Sequence, residues 1–410
     1  MGQKQLRIDL GRLFTNWVFI KVICAHALQG VVFTAFVVTE QWYIVNELNA
    51  SSWLGIVMMA TAFPRLIFML MGGVLTDRFN TIKIMLFSNL TRIVILVMAA
   101  VFYSLGILNI SMVIVFAITF GILDAIFLPA ATSLPPRVVE KELLVRVNAV
   151  QRMSFQISMM FGGVIAATVI AITSFQISFL VIAGIILLSS LFLISIKLPE
   201  ESEKKREKKS VIKDMNEGLK FVYDKKIILT FIIIFLMTNL LFVGPIGISI
   251  PLIVNEILKG DALTLSFYQS SWAGGLLIGS TCALLLNFKN KRLLRSLLFI
   301  ILQGITMILL AKVSIVSVHL ILILIAATCA SLITVPVISY IQENTEREML
   351  GRVMGLINMA SFGILPMAYV LVSLTMSYGV TTEFILLLCG ITLVLIGILL
   401  LILKRNQLKV

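Results

Sequence analysis

Charge is scarce in this chain. Among 410 residues, 33 are Lys or Arg and 20 are Asp or Glu, a charged share of 13%. A soluble domain carries nearer a quarter, and a chain of this length would need a polar surface that so few charges cannot cover. Histidine occurs twice, at His26 and His319, and cysteine four times. Cys24, Cys282, Cys329 and Cys389 lie far apart within apolar runs, which excludes a disulfide scaffold and leaves no metal-ligand spacing. No Gly-x-x-x-x-Gly-Lys-Ser/Thr segment occurs, so ATP drive from this chain is excluded. Paired histidines and nucleophile–base constellations are missing too. An enzyme is therefore not expected, and neither a cofactor nor a metal is implied.

What the chain has in abundance is hydrophobic residues, 60% of the total. They fall into apolar stretches near 15–43, 52–75, 83–105, 109–132, 147–170 and 174–197, then near 227–255, 265–287, 293–312, 317–340, 352–374 and 381–403. Each is of the length that crosses a hydrocarbon core as a helix. An all-α polytopic membrane protein with twelve transmembrane helices is expected. The N-terminal segment, with Lys4, Arg7, Asp9 and Arg12, runs straight into an apolar stretch too long for a signal-peptide core. The net charge of +13 then has to be read by position and is no nucleic-acid signal. With both termini inside, the outward loops hold only Lys259 and Lys312 of the 33 basic residues. The positive-inside rule predicts that asymmetry, so both termini are placed in the cytoplasm of a multi-pass plasma-membrane protein. The Ile- and Lys-rich composition is of bacterial type.

The sequence repeats weakly at about half its length. Leu128-Pro129-Ala130-Ala131-Thr132-Ser133, followed by Glu142-Leu143-Leu144-Val145-Arg146-Val147, resembles Val335-Pro336-Val337-Ile338-Ser339, followed by Glu348-Met349-Leu350-Gly351-Arg352-Val353. Two pseudo-symmetric six-helix halves follow, over 1–197 and 227–410, the pattern of transporters with a substrate path between repeats. Residues 198–226 form a charged cytoplasmic connector. Within it Val211, Ile212, Met215, Leu219 and Val222 recur at helical spacing between Lys213, Asp214, Glu217 and Lys220. That amphipathic helix either lies on anionic membrane lipid or packs on its own loops.

A charge at the centre of a membrane helix costs on the order of 2.5–3.5 kcal/mol, so intramembrane ionisable residues are functional candidates. This chain places His26 and Glu40 in the first stretch, Arg65 in the second, Asp124 in the fourth, and Arg152 about a turn into the fifth. At ~1.5 Å per residue, His26, Arg65 and Asp124 all lie roughly 12–16 Å from the inner ends of their helices. A His26–Asp124–Arg65 cluster is expected from that shared depth. Asp124 either titrates with the transport cycle or sits in a static helix-clamping pair. Glu40 lies near the same helix face as His26, either as a cation- or proton-receiving group or as an interfacial residue. His319, at the outer start of the tenth stretch, is expected to be exposed, and Glu256 and Asp261 to be merely solvated. The second half offers polar and aromatic cavity candidates instead: Asn239, Gln269, Trp272 and Gln303, with Phe33 from the first half. Pro245, Gly247 and Pro251 interrupt the seventh stretch and mark it as a gating helix.

One segment carries a family resemblance. Gly72-Gly73-Val74-Leu75-Thr76-Asp77-Arg78-Phe79-Asn80-Thr81-Ile82-Lys83 resembles the signature loop between helices 2 and 3 of the major facilitator superfamily. Asn80 stands for the usual glycine and tolerates a left-handed turn; Thr81 and Ile82 replace two usual bases. Further pieces are similar to the third drug:proton antiporter subgroup, which includes macrolide, siderophore and lysophospholipid transporters. They are Phe63-Pro64-Arg65-Leu66, Leu128-Pro129-Ala130, Asn148-Ala149-Val150-Gln151, Glu217-Gly218-Leu219-Lys220-Phe221-Val222 and Gly351-Arg352-Val353-Met354-Gly355. Two departures stand out. The fifth stretch has Gly162-Gly163 where the antiporter motif has Gly-Pro, and Asn89 replaces an acidic residue before Arg92. The resemblance implies a conformational latch built on Gly73, Asp77, Arg78, Lys83 and Arg137. It implies a cavity lined by helices 1 and 4, with Asp124, His26 and Glu40 in proton coupling and Arg65 and Arg152 as charge partners. It also implies a monomer whose partners are a small amphipathic substrate, protons and membrane lipids. Two activities remain open: export of a drug, antibiotic or siderophore-like compound against protons, or lipid transport without coupling.

Overall fold

The computed structural model describes residues 15–134, 144–196, 220–223, 225–285, 291–345 and 347–403. Within them the chain is helical throughout, with no strand. In a bilayer that is the solution an open chain can adopt, since each helix satisfies its own backbone polar groups. Twelve long helices follow one another: α1 Trp17–Glu47, α2 Leu54–Arg78, α3 Thr81–Ser104, α4 Ile110–Ser133, α5 Leu144–Ile172 and α6 Phe175–Ile194, then α7 Lys226–Ile257, α8 Ala262–Leu285, α9 Arg292–Leu310, α10 Val316–Glu343, α11 Arg347–Ser377 and α12 Thr382–Leu403. Ten spans are long and apolar enough to cross a membrane among the described residues. The chain is a polytopic all-α membrane protein. Residues 211–219 of the amphipathic segment, and Arg137, lie outside the described residues.

Contacts group the described residues into two compact units. One holds those of 1–50, 60–203 and 261–270, the other those of 51–59, 204–260 and 271–410. In the first, α1 packs on α5 and α6, and α3 on α4 and α6. In the second, α7 packs on α11 and α12, and α9 on α10 and α12. The pattern is the same six helices further on, so the repeat extends from sequence to packing.

Close helix crossings in apolar surroundings rely on small residues. On α1, a Cβ at Gly30 would lie 2.7 Å from the Phe155 carbonyl oxygen of α5. In the second unit, Gly304 of α9 and Gly390 of α12 face each other, and a Cβ on either would fall 2.6–2.7 Å from the other's carbonyl oxygen. Side chains fill the rest. Val22 and Ala25 of α1, Ile82 and Met85 of α3, Phe127, Ala130 and Ala131 of α4, and Leu193 of α6 form one buried cluster.

Among the described residues, three wide π turns break the α-helical rhythm. Tyr43–Glu47 closes α1, Ile253–Ile257 closes α7, and Asn239–Val243 lies in the middle of α7. Pro245, just after the middle one, has no N–H for the Leu241 carbonyl and its ring would press on that oxygen in a strict α-helix; the wider turn relieves both. The interruption expected at Pro245, Gly247 and Pro251 therefore takes the form of a π turn just before Pro245, and the helical backbone continues to Ile257. The terminal π turns are repeat-related, each followed by a left-handed residue, Asn49 or Lys259. Ile44-Val45-Asn46-Glu47 and Ile253-Val254-Asn255-Glu256 are identical tetrapeptides, a stronger repeat signal than the one after helices 4 and 10.

The segment between α2 and α3 also differs from expectation. Asn80 has φ −59° and ψ 119°, so it makes no left-handed turn. Its Oδ1 accepts the Ile82 and Lys83 N–H groups at 3.0 and 3.3 Å and caps α3. Asparagine is among the best residues for that task, because its short side chain reaches the orphan donors of the first turn.

Candidate functional site

Asp124 lies on α4 with Phe120 and Phe127 at i−4 and i+3, so all three side chains share one helix face. That face meets Arg92 of α3. Arg92 Nη2 donates to Asp124 Oδ1, and the guanidinium lies 5.9 Å from the Phe120 ring centre and 5.1 Å from that of Phe127. Arg92 is only 3% exposed. A charge so deeply placed persists only with a partner, and carboxylate plus ring faces supply one. Arg65 of α2 completes the group, with Nη1 3.9 Å from Asp124 Oδ2. The Asp124 side chain keeps 26% of its surface accessible, the Arg65 side chain 29%. The carboxylate is thus shared by one enclosed and one accessible cation.

The expected His26–Asp124–Arg65 cluster is therefore corrected in two respects. Arg92, which the sequence reading treated only as a family landmark, is the closest partner of Asp124. The signal was available: Arg92 stands nine residues into the 83–105 stretch, roughly 14 Å deep at ~1.5 Å per residue. His26 is not in the cluster. Its ring is 5.1 Å from that of Phe155, and it lines a small cavity with Gln151, Met85 and Phe127. Phe127, which also faces Arg92, borders this cavity. Glu40 is elsewhere again, in a small pocket lined by Phe36, Tyr43, Phe116, Phe120 and Phe179. Phe36 and Phe120 stack there with centres 4.2 Å apart.

A neutral polar layer joins α1, α3 and α6 beside Arg92. Gln29 Oε1 accepts from Arg92 Nη1 at 3.4 Å, and Gln29 Nε2 donates to Asn89 Oδ1 at 3.2 Å and to Ser189 Oγ at 3.3 Å. Sequence reading missed it, because uncharged amides and hydroxyls in an apolar run carry no depth signal of their own.

Of the residues expected in a latch, Lys83 is exposed at the start of α3. Gly73, Asp77 and Arg78 lie on the last turns of α2, and their side chains, like that of Arg152, are outside the described ones. Within the second unit, an ion pair that the sequence reading did not single out ties α9 to α10: Arg292 Nη2, at the start of α9, lies 2.9 Å from Glu343 Oε2 at the end of α10. The Tyr340 ring covers the same guanidinium at 5.8 Å.

The cavity candidates separate. Phe33 is exposed and Gln269 half-buried. Trp272 stacks on Phe242 of the π turn at 5.9 Å, and Asn239 Nδ2 donates to the Phe235 carbonyl at 2.9 Å. Gln303 is fully buried and donates to the Ala326 carbonyl at 3.2 Å, so it ties α9 to α10 and does not line a cavity. His319 is likewise buried, 1% exposed, with Nε2 2.7 Å from the Val313 carbonyl oxygen; a backbone acceptor in the preceding turn draws it inward. Glu256 accepts from Ser51 Oγ at 3.0 Å, and Asp261 Oδ1 accepts the Thr264 N–H and O–H at 2.8 Å each, so both do more than meet solvent. No cluster of three or more metal-ligating side chains occurs among the described residues.

Residues 22–369 match the family described as Major Facilitator Superfamily. The search of curated proteins finds no match. Among solved structures, the nucleoside transporter NupG is similar with a TM-score of 0.76 and 11% identity, over 92% of this chain and 98% of that one. The POT family transporter PepTSo gives 0.69 and 11%, over 95% and 98%. A D-xylose–proton symporter gives 0.67 and 12%, over 92% and 96%.

Proposed function

Since the chain belongs to the major facilitator superfamily, and so is a multi-pass transporter rather than an enzyme, we propose that it exports an amphipathic organic compound in exchange for protons. The compound is of drug, antibiotic or siderophore type, and transport proceeds by alternating access. The proposal extends to a monomer in the plasma membrane with cytoplasmic termini, built as halves over 1–197 and 227–410 with a cytoplasmic connector over 198–226. A latch of Gly73, Asp77, Arg78, Lys83 and Arg137 on the inner side belongs to the same proposal.

The observation that carries it is the accessible carboxylate of Asp124 between enclosed Arg92 and accessible Arg65. A proton added to Asp124 cancels the charge that holds Arg92, so protonation and side-chain position are linked at that atom. Intramembrane acids of this kind mark proton paths. A structural neighbour titled a proton symporter supports the use of protons in this fold, without setting direction. One inward proton supplies about 2.3 kcal/mol per 100 mV, enough for a roughly fifty-fold gradient.

The test is uptake of lipophilic dyes and antibiotics into inverted membrane vesicles, with and without a protonophore, for the parent and Asp124→Asn at matched expression. Uptake that collapses with the protonophore and fails in the variant is expected. Protonophore-insensitive uptake, or an active variant, overturns the coupling role, and lipid transport without coupling then takes its place.

A further inference from the structure

Arg92 keeps its charge under all conditions a protein meets. When Asp124 takes up a proton, the buried guanidinium needs another acceptor. Gln29 Oε1 already lies 3.4 Å from Arg92 Nη1. A glutamine amide could equally turn its NH2 toward a neighbour, and here its orientation is set by bonds that run to two backbone carbonyls. Ser190 Oγ donates to the Ile186 carbonyl at 2.8 Å, so its lone pairs accept from Asn89 Nδ2 at 3.1 Å. Asn89 Oδ1 is thereby turned to accept from Gln29 Nε2 at 3.2 Å. Ser189 Oγ donates to the Ala25 carbonyl at 3.2 Å and accepts from the same Gln29 Nε2 at 3.3 Å. Both hydrogens of the Gln29 NH2 are used, and its oxygen faces Arg92. Gln29, Asn89, Arg92, Ser189 and Ser190 are all at most 7% exposed, so water competes weakly for these bonds. Arg92 Nε, buried, has no acceptor among the described residues.

We propose that Gln29 is a positioning residue for the proton step: held by Asn89, Ser189 and Ser190, its carbonyl oxygen takes over Arg92 when Asp124 is protonated. This rests on the proton-coupled reading of Asp124. The balance is simple. The proton adds to the Asp124 carboxylate, Arg92 keeps all of its own, the bond from Nη2 to Oδ1 loosens, and the bond from Nη1 to Gln29 Oε1 tightens. The charged groups facing Asp124 are Arg65 from α2 and Arg92 from α3. Through Arg92, α1 and α6 contribute neutral amide and hydroxyl groups among the described residues.

The test needs no substrate. Infrared difference spectra are recorded on the purified protein in liposomes as pH is stepped, for the parent, Asp124→Asn, Gln29→Leu and Asn89→Leu. Expected is a protonated-carboxyl band missing in Asp124→Asn, accompanied in the parent by a shift of a glutamine carbonyl band identified with isotopically labelled glutamine. In Gln29→Leu the carboxyl band emerges about one to two pH units lower, because a hydrogen bond to a charged group is lost from the protonated form. Asn89→Leu, which removes bonds to Gln29 and Ser190 and leaves Gln29 itself in place, moves it the same way by less. If Gln29→Leu does not fold, the glutamine band of the parent and the Asn89→Leu titration decide. A carboxyl band at one pH in every variant that retains Asp124, with an unmoved glutamine band, overturns the role of Gln29 and leaves the proton reading standing. Spectra in which Asp124→Asn loses no band overturn the proton reading itself.

Discussion

Removing either member of the Arg92–Asp124 pair should not cost the same. Breaking a buried ion pair by deleting one partner costs about 3–5 kcal/mol, because the survivor is left charged in a poor solvent. Asp124→Leu leaves Arg92, 3% exposed, with one neutral acceptor, Gln29 Oε1 at 3.4 Å. The full penalty applies. Arg92→Met leaves Asp124 with 26% of its side chain accessible and Arg65 3.9 Å away. Partial solvation and the second cation cut the cost to about 1–2 kcal/mol. The double variant Arg92→Met/Asp124→Leu strands no deeply buried charge, since the Arg65 it leaves behind keeps 29% of its side chain accessible, and should lie within about 1 kcal/mol of the parent. Thermal unfolding in detergent reads the order. At roughly 2 °C per kcal/mol, Asp124→Leu should lose about 6–10 °C, Arg92→Met about 2–4 °C, and the double variant about 2 °C or less. An Asp124→Leu protein at least as stable as Arg92→Met would refute the claim that this carboxylate is what allows Arg92 to be buried.

Three further outcomes follow from the geometry. Gln303→Leu removes the bond to the Ala326 carbonyl but also an amide oxygen that has no partner among the described residues; stability should change by less than about 1 kcal/mol and substrate KM not at all, whereas a raised KM would return Gln303 to the cavity. Gly304→Val forces a Cβ into the Gly390 carbonyl and should cost about 1–3 kcal/mol, seen as reduced folded yield and a lower unfolding temperature. Asp261→Ala removes the side-chain cap of α8 and should cost about 1 kcal/mol. Burial raises the Asp261 pKa, but the Thr264 N–H and O–H and further backbone donors outweigh it and hold the carboxyl below its usual value. A depressed folded value means the cap stabilises fully above the unfolded value and is lost as pH falls through the folded one, so parent and variant should converge only once pH drops below that depressed value.

The fold was legible because membrane spans write themselves in composition. Twelve apolar runs are a one-dimensional signal, and the twelve helices follow them to within a few residues. Which way a helix faces is not written there. Hydrophobic residues point to lipid and to core alike, so periodicity could not show that Gln303 and His319 turn inward. The candidate site was half legible. Asp124 and Arg65 were found by the cost of burying charge; Arg92 was passed over although the same arithmetic applies to it. The amide and hydroxyl layer of Gln29, Asn89, Ser189 and Ser190 was out of reach, because its meaning lies in contacts between residues 60–160 positions apart. Asn80 was assigned a backbone role because glycine is usual there, when its side chain was the part in use.

The π turns of α7 bear on how this helix must be probed. Each inserts one residue, which rotates everything beyond it by about 100° relative to a uniform α-helix. A helical wheel drawn from Lys226 therefore points to the wrong side of the helix for every position after Val243, and it slips again through Ile253–Ile257. A cysteine-scanning series along this stretch should show reactive positions in a regular rhythm, a skipped beat between Asn239 and Val243, and then the same rhythm resumed one residue late. Substitutions chosen by wheel alone would compare lipid-facing positions with core-facing ones and read the difference as chemistry.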